Sequence, residues 1–324
     1  MTRTRFYPRD VPNTCSIVNA GRKPIASTNP YIKFKSKYKM VAEAEVVSGP
    51  QAYANLETLR CTLQDTILHV ELNRPTKLNA MNSVFWVEYK KVFDIAAQDP
   101  EVRVIIVSSN ARIFTAGLDI SGGIGVGSKV EVDAGRRGIS MYHSLLKTQA
   151  AFTAQATCQK ASIAVVHGAC IGGGVDLISA ADIRYCSKDA YFCIKEVDVA
   201  LAADVGTLQR LPKIVGNDSW VREMCLTARN ASSAEAMSVG LISKVCDTKE
   251  AALAAAFETA KLIASKSPVA IVSTKQVLNY SRDHTVEEGL QYVATWNAFA
   301  LQTADLAKAG IASLQKKQVT FSKL

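Results

Sequence analysis

The sequence lacks any uninterrupted apolar run of the length a membrane-spanning helix needs. Its longest apolar stretch, around residues 161–181, is broken by His167 and Asp176, which argues against a membrane span. Histidine is scarce, with four in 324 residues, and the eight cysteines (Cys15, Cys61, Cys158, Cys170, Cys186, Cys193, Cys225 and Cys246) contain no C-x-x-C pair. No zinc-ligand spacing results, and no metal site is expected. The N-terminal region lacks the apolar core of a signal peptide. Reduced, mostly buried thiols of an intracellular protein are the reading that follows. Cys170 adjoins a glycine run, but no base lies at a suggestive spacing, so packing is preferred to nucleophilic work. The run itself, Gly172-Gly173-Gly174, fits neither G-x-x-x-x-G-K-[ST] nor G-x-G-x-x-G, and a nucleotide fingerprint is therefore unsupported.

Acidic residues are nearly missing from the first forty positions. Arg3, Arg5, Arg9, Arg22, Lys23, Lys33, Lys35, Lys37 and Lys39 face only Asp10, which places +8 of the formal net charge of +9 in this segment. The remainder is almost neutral, so the charge reads as a solvated or targeting tail and not as a nucleic-acid surface. Residues 1–55 are also rich in proline and lack sustained periodicity. They are read as a basic extension, acid-poor as a mitochondrial transit peptide is, although the early prolines disfavour the amphipathic helix such a peptide needs.

What is present is ordinary globular material, 48% hydrophobic and 21% charged. From residue 56 an α/β pattern begins. Thr58–Leu63 and Thr66–Leu72 read as strands joined by a turn at Gln64-Asp65. Asn82 is placed to cap a helix over 83–97, with Phe85, Tyr89, Val92, Phe93 and Ala96 on one face. Val102–Ser108 and Ile163–Val166 read as buried strands, and 135–156 as a long helix. The loop 121–134 is glycine-rich. The core is assigned to 56–250, and 251–324 reads as helical, with Pro268 in a first helical turn and Glu287 and Glu288 near the positive end of another helix.

Within this frame the segment VVHGACIGGGVDLISA, residues 165–180, places a carboxylate in apolar surroundings. Burying Asp176 costs several kcal/mol unless it is paired or used. The glycines precede a helix, whose first N–H groups are unpaired and can serve an anion; tight packing explains a lone glycine run equally well. A second turn, Phe114-Thr115-Ala116-Gly117-Leu118-Asp119-Ile120, can offer another N–H, and two such donors from separate loops suit an enolate oxygen. Downstream, Glu196, Asp198 and Asp204 lie in an apolar segment. An alternating strand would turn Glu196 and Asp198 to one face. Taken alone, Asp204 reads as the cap of a helix starting near Gly206, and Asp198 as half of a surface pair.

Taken together, these motifs resemble the crotonase, or enoyl-CoA hydratase/isomerase, superfamily. The marks are Asn73-Arg74-Pro75 with Asn79-Ala80-Met81, FTAGLDI (114–120), HGACIGGGVDL (167–177), Ala181-Asp182-Ile183-Arg184-Tyr185, and Gly206-Thr207-Leu208-Gln209-Arg210-Leu211-Pro212, in family order over roughly 55–280. KEVD (195–198), AADVGT (202–207), ATWN (294–297) and TFSKL (320–324) resemble its Δ3,5-Δ2,4-dienoyl-CoA isomerases. The resemblance implies an α/β spiral of repeated ββα units with a C-terminal helical region that forms trimers, paired into hexamers in many relatives. It implies an oxyanion hole from the N–H groups of Leu118 and Gly173, and a catalytic set of Asp176, Glu196 and Asp204. Simple hydratases carry glutamates at the first two positions and glycine at the third. Moving a proton from C2 to C6 needs an acid at each end of the diene. Glu196 is expected to be the base and Asp204 the acid, with Asp176 tuning its neighbours and kept ionised by a helix N-terminus; the two transfer roles are open to exchange.

No cofactor is implied, since CoA belongs to the substrate. Lys77, Ala80, Ala116 and Gly117 are expected to line the acyl-CoA site, with Lys275 a weaker choice. Loop 121–134 is expected to border the acyl end. Ser322-Lys323-Leu324 matches a peroxisomal address read by an import receptor, which points to a peroxisome or glycosome; the basic tail allows a mitochondrial pool. A 2-enoyl-CoA hydratase is one rival reading. A non-catalytic RNA-binding protein on the same scaffold is the other.

Overall fold

The fold is taken from a computed structural model, in which residues 48–122 and 133–324 are described. Most of the basic extension and most of the glycine-rich loop fall outside these residues. Nine strands and ten helices follow one another: β1 (Leu59–Gln64), β2 (Ile67–Leu72), α1 (Ser83–Gln98), β3 (Val104–Ser109), α2 (Ala134–Thr157), β4 (Ala161–Val166), β5 (Ala169–Ile171), α3 (Gly173–Ser179), β6 (Ile183–Ser187), β7 (Tyr191–Cys193), α4 (Thr207–Ile214), α5 (Asp218–Thr227), β8 (Ala231–Ser232), α6 (Ser233–Ser238), β9 (Lys244–Cys246), α7 (Lys249–Ala264), α8 (Pro268–Ser281), α9 (Val286–Ala300) and α10 (Ala304–Leu314).

The larger sheet has the order β1-β2-β3-β4-β6-β9, parallel after the first antiparallel pair, and β5-β7-β8 form the smaller. From β3 onward each turn of the spiral lays one strand in the larger sheet and one in the smaller layer. Thr115 bridges to Cys170, and β5 pairs with β7. This ββα spiral is the crotonase architecture. The first hairpin turn sits at Asp65-Thr66, one residue later than the sequence indicates. Both residues take left-handed φ, 50° and 65°, the geometry of a tight hairpin.

Strands buried on both faces explain the apolar runs in β3 and β4. Val104, Ile106, Ile163 and Val165 meet α7, where Ala252, Ala256 and Ala260 recur every fourth residue and let the helix lie close. The opposite faces enter the main core with α1 and α2. Phe85, Tyr89, Val92, Phe93 and Ala96 are the buried stripe of α1, and the Asn82 side chain accepts the Phe85 N–H. Phe85, Trp86 and Tyr89 pack edge-on against Phe152 of α2. The packed body starts before residue 56: Pro50–Tyr53 forms a short turn, and Tyr53 donates to Asp99 at 2.9 Å.

At the other end, α9 opens with a Thr285–Glu288 capping box. The last residues lie against the body. Arg103 donates to the carbonyls of Phe321 (2.7 Å) and Ser322 (3.0 Å), and Lys323 pairs with Glu101. Among the described residues no helix is long and apolar enough to cross a membrane.

Candidate active site

Two loops are clamped together by Asn79. Its buried side chain donates to Ser109 Oγ (2.6 Å) and to the Phe114 carbonyl (3.1 Å), and accepts the Arg74 N–H (2.7 Å). Thr115 Oγ1 donates to the Asn79 carbonyl, while the Met81 and Asp119 N–H groups bond to Gly117 and Met81 carbonyls. Arg74 completes the clamp with a 2.9 Å ion pair to Asp119. Hydrogen bonds from Ser121, together with Arg74, hold the Asp119 carboxyl down at about 2. The sequence marked Arg74 and Asp119 as motif residues but did not pair them; no local pattern joins positions so far apart.

This clamp presents the FTAGLDI turn to β5. Gly117 has φ +87°, and a Cβ there would stand 2.8 Å from the Ile171 carbonyl oxygen, so the turn approaches the end of β5 this closely only because position 117 carries no side chain. Among the described residues, the N–H groups of Leu118 and Gly173 donate to no backbone carbonyl, whereas those on either side, Gly117, Asp119 and Gly172, are engaged. The Leu118 and Gly173 N–H groups selected from the sequence therefore have no backbone acceptor, and among the described residues the Gly174 N–H beside Gly173 has none either. A Cβ on Gly173 would meet Met81 Sδ at 3.1 Å and Trp86 at 3.9 Å, which sets apolar side chains beside that donor.

Asp176 is fully buried in α3. Its Oδ1 accepts the Thr207 N–H at 2.5 Å, and its Oδ2 is buried without a partner. Burial pushes its pKa up to about 6, against the pull of Thr207 and Arg210. The helix N-terminus is thus outweighed by burial. Glu196 begins a single 3₁₀ turn, Glu196–Val199, and not the alternating strand read from the sequence. The turn separates it from Asp198, which pairs with Lys195 at the surface. Glu196 Oε1 faces Gly172, 3.2 Å from the place a Cβ would take, and Oε2 is buried without a partner. Burial first, then the charge of Asp176, pushes Glu196 up to about 7; Asp204 adds to this.

Asp204 caps no helix. The position before α4 is Gly206, which offers no side-chain cap, and Asp176 takes the Thr207 N–H instead. Desolvation raises its pKa although the residue is exposed, so its side chain is only partly withdrawn from water. Its carbonyl accepts from Gln149 of α2 at 2.7 Å. The structure thus gathers three acids that feel one another's charge. Among the described residues no three His, Cys, Asp or Glu side chains converge closely enough to hold a metal ion.

The remaining choices divide. Lys77 is exposed at the end of the short turn Pro75–Lys77. Both backbone groups of Ala80 and of Gly117 are engaged within the protein, so these two positions offer a ligand shape and not polar atoms. Ala116 bonds through its N–H to Leu78. Lys275, the weaker choice, is buried and donates to Asp182 Oδ2 (2.8 Å) and the Lys160 carbonyl (2.9 Å), as a structural post does. Cys170 is fully buried and its thiol is pushed up by desolvation, as packing requires. His167 Nε2 donates to the Ala111 carbonyl within the core, and burial lowers its pKa.

The enoyl-CoA hydratase/isomerase family profile matches residues 62–323, and the chain belongs to that family. It is 49% identical to a human protein named mitochondrial Δ(3,5)-Δ(2,4)-dienoyl-CoA isomerase, over 86% of this chain and 87% of that one. It is 45% identical to a peroxisomal protein of the same name from Arabidopsis thaliana, over 85% and 99%. Enoyl-CoA hydratase structures from Bacillus anthracis and Shewanella pealeana share the fold, each with a TM-score of 0.72, at 21% and 22% identity, over 82% of this chain and 99% and 96% of theirs.

Proposed function

We propose that this chain is a Δ3,5-Δ2,4-dienoyl-CoA isomerase, acting in the β-oxidation of unsaturated fatty acids. The observation that carries the reading is the third acid. Asp204 stands apart from the helix cap that would explain it, yet close enough to raise the pKa of Glu196. A hydratase adding water across one double bond has no task for it.

The thioester oxygen lies between the N–H groups of Leu118 and Gly173. The carboxylate of Glu196 removes a proton from C2, and the extended dienolate places its charge on that oxygen, where fixed donors stabilise it. Asp204 supplies a proton at C6, and the double bonds move from 3,5 to 2,4. One proton leaves and one enters, so the product is an isomer. Asp176 raises the basicity of Glu196 through its charge. Lys77 remains the cation proposed for CoA, with Ala80, Ala116 and Gly117 shaping its path. CoA arrives with the substrate, and no separate cofactor is required.

Exposed Leu290, Phe299, Leu306 and Ile311 on α9 and α10 support assembly into a homotrimer or a pair of trimers, as apolar surface of this extent does. The C-terminal Ser322-Lys323-Leu324 supports delivery to a peroxisome or glycosome by its import receptor, and the basic N-terminal segment supports a mitochondrial pool.

The test is a near-UV assay of the purified protein with a 3,5-dienoyl-CoA and, separately, a 2-enoyl-CoA. Formation of the conjugated 2,4-dienoyl thioester with little hydration supports the reading. Hydration without isomerisation overturns it.

A further inference from the structure

Asp204 also lines a cleft of about 550 Å³ between α2, α4 and the end of α8, within the range of small-ligand sites. The cleft is not acyl-like. Its apolar side chains are Ala156 and Val205, while Arg210, Lys213 and Arg282 bring three cations to its wall. Lys213 is matched by Asp283. Arg210 hydrogen-bonds to neutral oxygens, the Val205 carbonyl at 3.2 Å and Thr153 Oγ1 at 3.4 Å, and the charge of buried Asp176 attracts it without a direct pair. Arg282 pairs with no acid among the described residues, and its charge repels both Arg210 and Arg184. Asp176 answers Arg210 only at a distance and no described acid pairs with Arg282, so an oxyanion joining the two guanidiniums would relieve their repulsion; such groups bind oxyanions with two parallel N–H donors.

We propose that this cleft is an oxyanion site for the far end of the acyl chain, so that the protein accepts 3,5-dienoyl-CoA esters bearing a terminal carboxylate. The inference rests on the isomerase reading, because it is the proton donor for C6 that opens onto the cleft. On this proposal the carbons beyond C6 run past Asp204 toward Arg210 and Arg282, which line the same cleft. A methyl end finds little apolar surface there, and a carboxylate finds two guanidiniums. The same chemistry would also suit a free anion such as inorganic phosphate.

The test compares kcat/KM for a carboxylate-ended and a methyl-ended 3,5-dienoyl-CoA of one length, in the full-length protein and in Arg282→Gln. Position 282 is exposed, so the variant is expected to fold. A drop of about ten-fold for the carboxylate-ended ester, with the methyl-ended ester unchanged, is the expected result. Phosphate should then inhibit the carboxylate-ended reaction alone. If the variant leaves the ratio of the two esters unchanged, a substrate-end site is overturned, whether or not phosphate binds. Loss of turnover on both esters in the unmodified protein would instead refute the isomerase reading. In that event calorimetric titration with phosphate, with and without Arg282→Gln, still decides whether the cleft binds an oxyanion.

Discussion

Asp176 Oδ1 accepts the Thr207 N–H at 2.5 Å, so a carboxylate in the first turn of α3 closes the first turn of α4. This bond holds the segment carrying Asp204 against the segment carrying the glycines. Asp176→Ala removes the acceptor and leaves a buried N–H unpaired, a cost of about 1–3 kcal/mol. Asp176→Asn keeps an acceptor but removes the charge. Thermal unfolding should therefore fall in Asp176→Ala and much less in Asp176→Asn, while turnover falls in both.

The charge of Asp176 also raises Glu196, whose pKa lies at about 7. If Glu196 is the base, kcat/KM rises with pH as it ionises. Removing the charge in Asp176→Asn should move that acidic limb to lower pH. A limb that does not move would separate Asp176 from the titration of Glu196.

The raised acids make a stability prediction of definite sign. A carboxyl whose folded pKa exceeds its unfolded value stabilises the fold below the unfolded value, and that contribution is lost as pH rises through the folded one. For Glu196 the window runs from the ordinary glutamate range to about 7. Glu196→Gln should therefore be more stable than the natural protein at pH 8, on the order of 2 kcal/mol, and close to it at pH 4, while being inactive. Denaturant unfolding at the two pH values checks this.

Gly117→Ala should damage catalysis more than binding. Its Cβ would press on the Ile171 carbonyl and displace the adjacent Leu118 N–H. A loss of about a hundred-fold in kcat with a smaller change in KM is expected, the size reported by removal of one oxyanion donor.

Lys275→Met separates a post from a ligand contact. Breaking the buried pair with Asp182 should lower stability by about 3 kcal/mol and leave KM of the remaining folded protein unchanged. A raised KM would return Lys275 to the CoA site.

Much of this was legible in the chain. The buried stripe of α1 follows from its spacing and from Asn82, while the choice of the Leu118 and Gly173 N–H groups follows from the family resemblance of the two glycine-containing turns and not from the turns alone. The turn at Glu196 was not legible, because Glu196 to Val199 alternates charged and apolar residues as a strand does. What closes the turn is Ala200 in a left-handed conformation, φ 62°, which alternation does not announce. Asp204 looked like a cap for the same reason: local reading finds the nearest acid, whereas the Thr207 N–H is met from another helix. The Arg74–Asp119 pair joins two motifs that only the fold brings together.

The central claim is that Glu196 and Asp204 serve opposite ends of one diene. It is tested most directly by incubating Asp204→Asn with a 3,5-dienoyl-CoA in deuterated water and following both C2 exchange and 2,4-dienoyl formation. The account predicts that C2 exchange persists while isomerisation falls by roughly a hundred-fold or more. Isomerisation at the natural rate in this variant would contradict it.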